Sequence, residues 1–110
     1  MIKDILAKIE AASASIKAGD AAEKRRLLEL LEQLKAELAA LPPSRLAEAR
    51  SIGNFTEAAV HEAMRQDGSV QLRNLSVSGI SYAVKGFEAT HPKLVAVVNE
   101  LCMLLAGIGI

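Results

Sequence analysis

Two histidines, one cysteine and one short run of bases are the side chains through which this chain could do chemistry. His91 follows Glu88 by three residues, so the pair could carry a proton or give two ligands to a metal. The plainer reading makes His91-Pro92 the entrance of a helix with Phe87 packed across it, because a histidine with no second ligand nearby rarely builds a metal site. His61-Glu62 begins like the HExxH of zinc proteases, but the position four after the histidine is Arg65, and the match fails. A site made from His61, Glu88, His91 and Cys102 would require two separate helices to converge. The expectation is no catalytic residue, no metal ligand set and no cofactor: a protein that is not an enzyme.

Lys24-Arg25-Arg26 is the only run of like charge, and it sits near a helix N-terminus, where the macrodipole disfavours bases. Such a run could bind phosphate or an acidic partner; a solvated face with Arg26 beside Glu29 and Glu23 is the more ordinary account. Gly53, Gly79 and Gly86 have neither the pattern nor the strand-to-helix setting of a phosphate loop. Ser76, Ser78 and Ser81 lack a GxSxG elbow and a base at readable spacing. Formal net charge is zero, and up to Leu41 seven bases meet seven acids, so no basic half exists to attract nucleic acid. Two Phe and one Tyr leave almost no stacking platform for bases or flat cofactors.

The elements that would position these residues are helical. Ile2, Ile5, Leu6, Ile9, Ala12 and Ile16 form a stripe at helical spacing that ends near Ala18, with Gly19 as the stop. Asp20 and Glu23 have the spacing of a capping box for a second helix running to Leu41, where Pro42-Pro43 ends it. Leu27, Leu31, Leu34, Leu38 and Leu41 alternate four and three residues apart as in a coiled-coil seam, and Leu28 and Leu30 widen it. The first two helices then make an antiparallel hairpin whose leucine face is broader than the stripe that meets it, a first hint of self-association.

Ser44 can cap a third helix through Leu46, Ala49 and Ile52, continuing or restarting near Gly53-Asn54 into Phe55, Ala59, Val60, Ala63 and Met64, with Asp67-Gly68 closing it. From Val70 to Gly86 the pattern is ambiguous. Leu75, Val77, Gly79, Ile80, Tyr82 and Val84 fit a β-hairpin, while Leu72, Leu75, Gly79, Ala83 and Phe87, with Ile80 and Val84 beside them, fit a helix face. Helix is preferred, since a lone short hairpin would leave its edges unpaired.

Thr90 can then cap, and Pro92 open, the last helix, which starts at about His91. Leu94, Val97, Val98, Leu101, Leu104, Leu105 and Ile108 line it, with Val95 and Cys102 on a second flank and Gly107 and Gly109 as its stop. A helix this apolar needs cover on more than one side. Asn99-Glu100 interrupts it, so it is too short to span about 30 Å of hydrocarbon. A single cysteine in an apolar helix is expected to be a buried, reduced thiol, which suits the cytoplasm. Asp4 and Glu10 near the N-terminus speak against a secretory or transit peptide.

At FEATHPKL, Phe87 to Leu94, and in the ending VVNELCMLLAGIGI, Val97 to Ile110, the chain resembles small bacterial proteins grouped as domain-of-unknown-function family 4404. The pattern of that family is an FE-x-[Ser or Thr]-HP block before an apolar C-terminal helix. Phe87, Glu88, Thr90, His91 and Pro92 match it, and Lys93 stands where an acidic residue often follows. The resemblance implies an all-helical fold and no particular activity.

The reading is a single all-α domain over residues 1–110, with a hairpin over 1–41 followed by two or three helices over 44–110, and the bundle completed by oligomerisation. The expected function is structural or interactive: self-association as a homo-oligomer through Leu27, Leu31, Leu34, Leu38, Leu94, Val98, Leu101 and Leu105. The alternative is an adaptor that offers the apolar C-terminal face to a helix of another protein. A small metal protein or enzyme using His91 and Glu88 comes third.

Overall fold

A computed structural model of the chain describes residues 2–16, 21–64 and 70–107. The expected stops and caps at Gly19, Asp20, Asp67, Gly68 and Gly109, and the apolar Ile108, lie outside the described residues. Five α-helices and no strand occupy those that are described: α1 (Ile2–Ala14), α2 (Ala21–Ala39), α3 (Leu46–Met64), α4 (Val70–Ala83) and α5 (Pro92–Gly107). Short 3-10 turns at Pro43–Arg45 and Lys85–Phe87 precede α3 and follow α4.

The helices close a ring. Each of α1, α3, α4, α5 and α2, taken in that order, packs against the next, and α2 returns to α1. A radius of gyration of 12.9 Å is close to the ~13 Å expected of a compact chain this long. Ile5, Ile9, Ala12 and Ile16 from the first stripe point into one core shared with all the other helices. The leucine face of α2, broader than α1 alone can cover, is met by α5.

That packing corrects the expected oligomer interface. Leu27, Leu31, Leu34, Leu38, Leu94, Val98, Leu101 and Leu105 all have 0% of their surface exposed within one chain. A side chain with no exposed area has nothing to offer a second copy. The surplus on α2 and the surplus on α5 satisfy each other.

Two segments whose continuity the sequence leaves open are settled: α3 is one helix, and the segment from Val70 is one α-helix as far as Ala83, followed by the 3-10 turn. The α3 helix runs through Gly53-Asn54 without interruption, and α1 packs tightly at Gly53: a Cβ there would lie 2.8 Å from Ile5 Cγ2. Small buried residues, Ala49, Gly53, Thr56, Ala59 and Ala63, let α1 and α4 approach α3 together. The Thr56 hydroxyl is buried without cost because it donates to the Ile52 carbonyl at 2.7 Å. Ser44 falls inside the 3-10 turn before α3 rather than capping it.

The α4 segment is helical, as preferred, but only part of the expected face is buried. Ile80, Val84 and Phe87 enter the core, whereas Leu72 and Leu75 point to solvent. Apolar residues are distributed all round α4, so periodicity left the orientation to be chosen by its neighbours. Arg73, its one charged residue, is buried.

Candidate interaction surface

The FEATHP block folds as a compact turn at one end of the ring. Phe87 is fully buried, and the His91 ring meets it edge-on, with centroids 5.4 Å apart and planes at 79°. The His91 amide donates to the Phe87 carbonyl at 2.8 Å, and the His91 carbonyl accepts from the Val95 amide as α5 begins. Pro92 is the first residue of α5, where its missing donor goes unneeded. The Thr90 hydroxyl pairs with His91 Nδ1 at 3.0 Å instead of capping the helix, so it orients the imidazole.

From the other side, the Arg45 guanidinium lies 4.7 Å from the centroid of Phe87 and pairs with Glu48 at 3.6 Å. The two 3-10 turns are thereby clamped together by a cation over an aromatic face. Glu88 is exposed. Phe87 and His91 thus meet in packing geometry, and the motif builds the entrance of α5.

The remaining chemical candidates are dispersed. Among the described residues, no three His, Cys, Asp or Glu side chains come together as metal ligands. Cys102 is a buried free thiol whose sulfur approaches the Val77 carbonyl and the Ser81 hydroxyl, each at 3.7 Å. Burial pushes its pKa above the ordinary 9.0, and the Ser81 contact pulls part of the way back. A thiol so held is a poor nucleophile at neutral pH.

Arg26 pairs with Glu29 at 3.1 Å, as expected, and also with Glu100, which ties α2 to α5. Those hydrogen bonds, Glu100 before Glu29, raise its pKa further. Lys35 bridges Glu10 of α1 and Glu32, and its pKa rises for the same reason, the Glu10 bond first. Being exposed, these pairs add register more than stability.

His61 lies on an open groove of about 530 Å³ between α1, α3 and α4, lined also by Ala12, Ala58, Glu57, Glu62 and Leu72. Beside this groove runs the surface that the sequence reading missed. Phe55 of α3 lies across Gly79 of α4, so close that a Cβ at Gly79 would sit 2.5 Å from the ring. Along the same seam Leu72, Leu75 and Tyr82 stand exposed, and Lys85 Nζ covers the Tyr82 ring at 4.3 Å. No charged residue occurs between Arg73 and Lys85. That charge-free run was the available signal: solvated helix faces normally carry charge, and this one buries its only base while exposing leucines.

The chain matches the family described as a domain of unknown function, DUF4404, over residues 27–110. It belongs to the DUF4404 family. The DUF4404 match takes in the leucine seam of α2, the Arg45 clamp, the exposed seam of α3 and α4, and all of α5. No curated protein and no solved structure matches the chain. No helix among the described residues is long and apolar enough to cross a membrane.

Proposed function

We propose that this DUF4404 protein is a non-enzymatic, cytoplasmic interaction module that works by associating with itself. The observation that carries this reading is the exposed, uncharged seam of Phe55, Leu72, Leu75 and Tyr82 on an otherwise charge-studded surface. Solvent-facing apolar side chains scattered singly need no explanation; four along one seam do. The free, buried thiol fits a reducing compartment.

The eight core residues of α2 and α5 play no part in this association, because all eight are consumed inside the chain; on α5 Met103 still stands 76% exposed. Among the described residues, four of the seven exposed large apolar side chains lie on the α3–α4 seam, which makes it the surface best suited to a partner.

Light scattering after size exclusion, at low and high protein concentration, tests the reading. A mass of twice the 11.7 kDa chain or more is expected, increasing its share with concentration. Leu34→Glu should unfold the chain, because Leu34 is core, whereas Leu75→Glu should keep the helical signal and disperse the assembly. A monomer at every concentration, or an assembly untouched by Leu75→Glu, would count against it.

A further inference from the structure

We infer that α4 pairs with α4 of a second copy, antiparallel, about a two-fold axis passing between Ser78 and Gly79. The inference rests on the self-association reading and adds the surface, the partner and the register.

Three observations converge. The first is area: Phe55, Leu72, Leu75 and Tyr82 are 41%, 48%, 66% and 73% exposed. At about 200 Å² for each of these large side chains, that is roughly 450 Å² of exposed surface per copy, somewhat over half of the ~800 Å² per partner of a standard interface. The uncharged Ser78 and the Lys85 stem, which border the seam, extend it.

The second is register. In an antiparallel pair about that axis, Leu75 comes level with Tyr82 of the second copy, and the Phe55 ring that already fills the space over Gly79 comes level with the small Ser78 of the second copy. An isologous interface of this kind must complement itself, and Ser78 is small enough to receive that ring.

The third is charge. One end of the seam carries Lys85 over Tyr82, and at the other Leu72 shares its groove with Glu57 and Glu62. Antiparallel pairing sets the basic end of each copy beside the acidic end of the other, while parallel pairing would set like against like. A charge-free centre between complementary ends favours a second copy over an acidic or basic partner.

The test is a cysteine pair in the full-length chain. Ser78→Cys places two thiols within about 1.5 Å of the same level along the paired helices, whereas Gln71→Cys separates them by roughly 22 Å. Mild oxidation should therefore link Ser78→Cys into a covalent dimer and leave Gln71→Cys unlinked, the buried Cys102 staying silent in both.

As a second readout, Leu75→Lys and Tyr82→Glu should each weaken association by about tenfold or more, and the double variant should recover it, because the new charges face each other across the axis. Both positions are exposed, so thermal melting is expected to remain wild-type-like. If wild type associates but Ser78→Cys fails to link, or links no better than Gln71→Cys, the register is overturned while self-association stands. If wild type is monomeric at all concentrations, both fail, and the seam belongs to a different protein.

Discussion

Gly53→Ala tests how closely α1 and α3 are packed, and its sign is set by two opposing effects. Replacing glycine by alanine inside a helix is worth about 1 kcal/mol in favour of folding. Against it, the new Cβ would lie 2.8 Å from Ile5 Cγ2, where carbon atoms prefer about 3.5–4.0 Å. Ile5 is almost fully buried and cannot swing away, so α1 must shift, and overpacking of that kind costs about 1–3 kcal/mol. The net expectation for the single variant is a loss of about 0–2 kcal/mol.

Ile5→Leu removes the Cγ2 methyl while conserving volume, at a cost below about 1.5 kcal/mol. In that background Gly53→Ala should instead stabilise by about 1 kcal/mol. The coupling between the two sites is then about 1–3 kcal/mol, well above the ~0.3–0.5 kcal/mol scatter of independent sites. Urea unfolding followed by circular dichroism at one fixed protein concentration reads it, since 1 kcal/mol moves the midpoint by about 0.3–1 M. Equal effects of Gly53→Ala in both backgrounds would refute the contact between the two helices.

Phe87→Ala should cost about 3–5 kcal/mol, since it empties the pocket beneath Arg45 and His91; a melting temperature within a few degrees of wild type would rule out the anchoring role given to the motif. Cys102 predicts an alkaline loss of stability. The unfolded thiol ionises near its ordinary 9.0 and the folded one above it, so the unfolded state binds fewer protons across that window and gains on the folded state as pH rises. Stability curves from pH 7 to 10 should fall more steeply for wild type than for Cys102→Ala, and parallel curves would deny the thiol any share.

The helical class, the two-proline break after α2 and the start of α5 at Pro92 were legible in the sequence, because each depends on neighbours within a few residues. The stripe of α1 and the seam of α2 were legible for the same reason: a 3.6-residue period with one apolar face leaves a single way to be buried. The role of Phe87 and His91 as a helix entrance was also readable from the His-Pro pair and the ring preceding it.

What covered each face was decided only in three dimensions. The excess leucine of α2 looked like an interface because α1 alone could not cover it, and nothing local reveals that α5, some seventy residues further on, returns to close the same face. In α4 the apolar residues surround the axis, so the choice between burying Leu72 with Leu75 and burying Ile80 with Val84 belonged to α3 and α5. Periodicity determines which residues share a face; which face is satisfied depends on contacts distant in sequence, and here they turned the expected interface into core and part of an expected core face, Leu72 and Leu75, into surface.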